Sequence, residues 1–183
     1  MLRSASEILK NTEAQHLLSG KRPSTLNVYI NGQLVQIRDH KPLIEANIEL
    51  MDGCSLDEFI TELNSRVFLW AGTDRGPCSS GRNHISNYQD EGEVVIIKVP
   101  TLELLEENGA AQFQLTFCNS GSARQNNGQK ARRGKATFHS LNSATRRPGE
   151  VVEFTFLSQA KLPSGATYAK SLAGPWSPLK TDA

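Results

Sequence analysis

Cysteine is scarce in this chain. Cys54, Cys78 and Cys118 are the three present in 183 residues, and no two stand at Cys-x-x-Cys spacing. An odd number without a framework argues against a disulfide-stapled secreted fold and for a reducing compartment, and it offers no ligand set for structural zinc. Long apolar runs are missing too: none approaches the ~20 residues that a bilayer-spanning helix needs, and no charged-then-apolar leader opens the chain. A soluble, cytoplasmic protein is therefore expected, with no membrane partner. His16, His40, His84 and His139 are scattered without metal-ligand spacing, so no metal is expected either. There is no Walker loop, because Gly121-Ser122-Ala123-Arg124 has the wrong spacing, and no nucleophile elbow surrounds Ser120 or Ser122.

Net charge is also small, +1, but it is unevenly distributed. Residues 119–147 carry Arg124, Lys130, Arg132, Arg133, Lys135, Arg146 and Arg147 and no acid. The rest of the chain is consequently acidic. A local basic patch points to a docking surface for an anion, whereas uniform basicity would point to general adhesion. Such a segment also fits a solvated mobile loop. Directly after it come Pro148-Gly149-Glu150 and the strand-like run from Val151 to Leu157.

The length suits one domain over residues 1–183, large enough to bury a core without staples. Ser4 and Glu7 stand at capping-box spacing ahead of a helix that Gly20 would end. Leu26 to Ile30, Asn31-Gly32 and Leu34 to Ile37 form a hairpin pattern. A second capping box, Ser55 to Glu58, opens a helix with Leu56, Phe59, Ile60 and Leu63 facing inward. Arg66 to Ala71 reads as a buried strand, Asn83 to Tyr88 as a short helix, and the β-branched run Val94 to Val99 as a strand. Thr101 to Leu105 reads as a short helix, and Gln112 to Cys118 alternates as a half-exposed strand with Cys118 a buried thiol. In the last strand, taken from Glu150 to Leu157, Glu150 shares a face with Val152, Phe154 and Phe156, while Glu153 falls on the solvent side. A carboxylate heading an apolar face belongs at a cleft edge, since burying an unpaired charge is costly. Trp176 would pin the tail to the body. Short helices between strands make the class α+β.

The order Arg38…Lys41-Pro42, Arg66-Val67-Phe68-Leu69-Trp70, a polar basic segment, then Arg146-Arg147-Pro148-Gly149-Glu150-Val151-Val152 resembles the ADP-ribosyltransferase fold. It is most similar to the DarT-type branch that modifies nucleic acid, and to a related uncharacterised bacterial family. The resemblance spans roughly residues 30 to 163 and implies a split β-sheet core with short flanking helices. It implies NAD as co-substrate, held by Arg38 against a cleft wall of Phe68 and Trp70; His84, close behind Gly81-Arg82-Asn83, is the histidine that the sequence itself marks as lining a cleft. It implies a substrate loop using Asn119, Arg124, Lys130, Arg132, Arg133, Lys135 and Arg147. A glutamate opening the strand that follows is catalytic in that branch, which here implies Glu150. The implied activity is transfer of ADP-ribose from NAD to a DNA or RNA base, as a toxin or defence effector with an antitoxin partner. The alternatives are a non-catalytic nucleic-acid-binding module of the same fold and an enzyme acting on protein. One departure stands out: the family begins with a strand bearing a histidine and a hydroxyl residue, and Met1-Leu2-Arg3-Ser4-Ala5 starts beyond it. Either the true start lies upstream, or His40 or His84 substitutes, or catalysis has been lost.

Overall fold

The computed structural model describes residues 1–88, 94–144 and 146–180. Its architecture is α+β, with several small sheets and few helices. The largest sheet has four antiparallel strands in the order His139–Ser140, Phe113–Thr116, Glu153–Leu157, Arg66–Trp70. Glu153–Leu157 thus lies inside and Arg66–Trp70 forms an edge.

Register divides the sheet into two unlike faces. Phe154 stands opposite Leu69 and Leu115, and Phe156 opposite Val67 and Phe113. These side chains pack with Leu104 of the helix Thr101–Asn108 and with Ala160 into one apolar cluster. On the other face Glu153 lies opposite Trp70 and Thr116, and Thr155 opposite Phe68 and Gln114. That face is covered by a second cluster built from Leu43, Ile48, Phe59, Ile60, Leu63 and Phe138. Its helix, Leu56–Asn64, forms as the sequence indicates: Ser55 and Glu58 exchange both capping-box bonds, and Phe59, Ile60 and Leu63 turn inward. Phe138 joins the layers, with its ring 6.3 Å from Phe59, 6.4 Å from Phe68 and 3.9 Å from the Arg66 guanidinium. Arg66 is buried but satisfied by the Glu62 carboxylate, the Glu62 carbonyl and Gln114 Oε1. A polar layer is therefore sandwiched between two apolar ones.

Several expectations need correction. The last strand begins at Glu153, not Glu150: Pro148 lacks a backbone donor, and Pro148–Glu150 closes a 3₁₀ turn instead. Glu153 is on a buried face, because the second cluster covers what two-residue alternation marks as solvent-side. The Val94 to Val99 run yields only Ile96–Lys98, which pairs with Thr167–Ala169 outside the main sheet. The first helix spans Ala5–Leu9, capped by Ser4; Asn11 then takes a positive φ of 63°, and Glu13–Leu18 continues as 3₁₀. The hairpin forms as expected, with Asn31 and Gly32 both at positive φ. Trp176 is pinned by Lys98, whose ammonium lies 4.7 Å above its ring. No described helix is long and apolar enough to cross a membrane.

The helix Ser79–Ser86 begins earlier than its sequence indicates, and Gly81 explains its position. A Cβ there would stand 2.8 Å from both Cβ and Cγ of Trp70. Gly81→Ala is expected to cost about 1–3 kcal/mol, as overpacking typically does. Gly149, with nothing within 4 Å, should accept alanine without loss. Thermal denaturation of the two variants checks the contrast.

Candidate functional site

Along the open edge of Arg66–Trp70 lies a cavity of about 980 Å³. Arg38, Phe68, Trp70 and His84 all line it, so three separate stretches of sequence meet at one surface. Their rings form a continuous run. The Arg38 guanidinium sits 4.0 Å over Tyr88, the His84 ring is 4.6 Å from Tyr88, and Trp70 is 5.3 Å from His84. Burial first, and then the Arg38 charge, lowers the His84 pKa, so its imidazole is neutral at neutral pH. Arg75, Arg82 and Lys98 add cations, against one described lining carboxylate, Asp74. A planar anion fits this combination of aromatic faces and guanidinium groups.

Arg38 is placed by a residue that sequence reasoning missed. Arg22 is buried, its Nε donates to the Arg38 carbonyl at 3.1 Å, and its guanidinium lies 3.0 Å from the His40 ring. Burial and the Arg22 charge push the His40 pKa down to about 4. No sequence pattern distinguishes Arg22 from a surface cation.

The more important residue missed is Glu153. It opens the central strand, is 3% exposed, and is the cross-strand neighbour of Trp70, on the same sheet face. Thr116 Oγ1 approaches Oε2 at 2.9 Å, and the Ser120 N–H donates to both carboxylate oxygens at 3.2 and 3.3 Å. Burial raises the Glu153 pKa, opposed by Ser120, Thr116 and the Arg133 charge. The available signal was chemical: Glu153 and Thr155 alternate with Phe154 and Phe156, and Thr116 stands in a strand that was read as half-exposed.

Glu150, by contrast, is exposed, and its carboxylate accepts the Arg147 backbone N–H at 3.1 Å. It is a turn cap, away from the cavity lining. Residues 119–147 are not a free loop. Ala131–Arg133 pairs in parallel with Ile48–Leu50, and the Asn47 side chain donates to the Ala123 carbonyl. Arg124, Lys130, Arg132, Lys135, Arg146 and Arg147 are exposed, but Arg133 is buried and bonded to backbone carbonyls. Asn119 is half-buried, its carbonyl held by Arg133. None of these residues lines the cavity. Cys118 is half-buried, and burial raises its thiol pKa. No cluster of His, Cys, Asp and Glu suited to a metal occurs among the described residues.

This is an α+β protein with an anion-favouring cavity and a buried carboxylate, Glu153, which does not itself line that cavity. The chain belongs to a family of unknown function (DUF7002), whose profile matches residues 1–164. No curated protein and no solved structure matches it.

Two stability tests follow from the titrating groups. The folded pKa of Glu153 is raised, so its charge opposes folding at high pH and the penalty fades on acidification. Glu153→Gln should melt above the wild type at pH 8, with the gap narrowing by pH 5. For His40 the folded pKa of about 4 lies below the ordinary 6.5, so the unfolded chain binds the extra proton between them. Stability should fall as pH drops from 6.5 towards 4, and urea titrations of His40→Asn should lack that slope.

Proposed function

We propose that the protein binds NAD in this cavity and transfers ADP-ribose, with Glu153 as the catalytic carboxylate. The observation that carries the reading is the pairing of Glu153 with Trp70 across the sheet. Glu153 does not line the cavity, but its cross-strand neighbour Trp70 does, together with Arg38, Phe68 and His84. The resemblance to ADP-ribosyltransferases calls for a glutamate at the head of that strand. Glu153 occupies the position, whereas Glu150 does not.

The chemistry requires little machinery. The bond between ribose C1′ and nicotinamide breaks, the electron pair leaves with nicotinamide, and positive charge develops on the sugar. A carboxylate aimed at that ribose stabilises the charge; acting in a dry site, one such group supplies roughly 3–4 kcal/mol. The acceptor then attacks C1′ and loses its proton. Arg38 suits the pyrophosphate, and the stacked rings suit the planar ends of NAD. For this role Glu153 must be ionised, and its raised pKa predicts an acid limb in the rate above the ordinary glutamate range.

The acceptor we favour is a nucleic-acid base. Arg124, Lys130, Arg132, Lys135, Arg146 and Arg147 present exposed cations with no acid among them in sequence, as phosphate contacts would. A toxin or defence role with an antitoxin partner is the setting that this reading implies. A non-catalytic nucleic-acid-binding module is the second reading, favoured by the separation of those cations from the cavity lining and by the near-complete burial of Glu153.

Labelled NAD offered with DNA, RNA and lysate protein separates these readings. Glu153→Gln should reduce transfer by about 10²–10³-fold, the loss typical of one electrostatic group, while Glu150→Gln transfers as the wild type does. The label should be removed by nuclease and survive protease. Full activity in Glu153→Gln, or none in the wild type with nucleic-acid binding intact, would overturn the catalytic assignment.

A further inference from the structure

Glu153 receives its backbone donor from Ser120, and Ser120 is not held in place by a regular element. It sits in the Asn119–Ser122 turn, closed by a long Ser122 N–H to Asn119 carbonyl bond of 3.4 Å. The turn is gripped from outside. Arg133 Nη2 donates to the carbonyls of Asn119 at 2.9 Å and Ser122 at 2.8 Å, and Nη1 donates to the Arg132 carbonyl at 2.9 Å. The two distant carbonyls bracket Ser120, so one planar guanidinium fixes the direction of the N–H between them.

The base of this clamp is itself rigid. Arg133 ends the strand that pairs with Ile48–Leu50, and its carbonyl accepts the Met51 N–H at 2.8 Å. Gly134 follows, where a Cβ would stand 3.1 Å from the Met51 carbonyl oxygen. Side chain and backbone of Arg133 are thus both committed to the interior, with 7% of the residue exposed.

Arg133 Nε is buried without a hydrogen-bond partner among the described residues, so the clamp leaves one donor unsatisfied.

We propose that Arg133 is the positioning residue for Glu153: it holds the Asn119–Ser122 turn so that Ser120 presents its N–H to the carboxylate. Its catalytic consequence rests on the ADP-ribosyl-transfer reading; its structural consequence does not. Arginine is needed for its shape, since Nη2 meets two carbonyls of the turn while Nη1 meets a third. Lysine at this position retains the charge and loses the shape.

The experiment titrates the Glu153 carboxyl by carbon NMR in the full chain, assigned by its disappearance in Glu153→Gln, alongside NAD turnover. Arg133→Gln should raise the Glu153 midpoint, as loss of a hydrogen-bond donor to the charged form does, and move the acid limb of kcat with it. Arg133→Lys, which keeps a cation but cannot bridge the two carbonyls, should also raise the midpoint, lower kcat about tenfold and leave KM for NAD unchanged, the signature of lost orientation. An unmoved midpoint in Arg133→Gln overturns the proposal, as does full kcat in Arg133→Lys. If no turnover is seen in any form, the function is refuted while the midpoint still decides the Arg133–Glu153 coupling. Should Arg133→Gln fold poorly, a cycle with Glu153→Gln replaces it. Equal destabilisation by Arg133→Gln in the two backgrounds contradicts the proposal, and a larger loss with Glu153 present supports it.

Discussion

Everything at the centre of this molecule depends on how one carboxylate is tolerated inside the sheet. Glu153 is 3% exposed, within a strand whose neighbours Phe154 and Phe156 face an apolar cluster. Placing an acid there costs free energy unless donors surround it. The Ser120 N–H meets its oxygens, the Thr116 hydroxyl has one proton for both Glu153 and the Cys118 carbonyl, and Arg133 contributes charge. The compensation is partial, which is why the acid remains less willing to ionise than a free glutamate. Under the proposed function, that half-compensated acid is the group that would stabilise developing positive charge in a dry environment.

The same constraint organises the surrounding layers. Because Glu153, Thr155, Thr116, Gln114 and Arg66 lie on one sheet face, the second apolar cluster meets that face through Phe138, whose ring packs against the Arg66 guanidinium. Residues 119–123, which that cluster holds through Ala123, also deliver the donor for Glu153. The basic segment is therefore two things at once. Arg133 serves the interior, and six other cations face solvent. On the opposite flank, Trp70 and Phe68 extend from the polar face to the edge cavity, where Arg38 and His84 complete the wall. The candidate acid and the candidate cofactor surface are consequently linked by a single strand pair.

Local signals in the sequence were sound wherever they depended on chemistry within a few residues. The Ser55–Glu58 capping box, the Asn31-Gly32 turn and the inward stripe of Phe59, Ile60 and Leu63 all appear as their patterns require. Arg38, Phe68 and Trp70 were assigned to a cleft by the family resemblance and His84 by its place behind Gly81-Arg82-Asn83, and all four line the cavity. What failed depended on a layer that no local pattern reveals. Two-residue alternation assigns one face of a strand to solvent, and here that face is covered, so Glu153 was read as exposed and Glu150 as the acid at the cleft. Arg133 was counted with its exposed neighbours for a similar reason: nothing in Ala131-Arg132-Arg133 says which guanidinium turns inward. Residues 94–99 show the converse, a strong β pattern that yields a short strand against the tail.

Near-complete burial also sets what a ligand must do to reach the acid: it must come past Trp70 or displace the Asn119–Ser122 turn. A crystal structure with NAD tests the account most directly. It should show the pyrophosphate at Arg38 and the nicotinamide ribose about 2.6–3.2 Å from the Glu153 carboxylate, within hydrogen-bond reach. NAD bound elsewhere, or seated in the cavity with Glu153 still sealed behind Ser120, would contradict it.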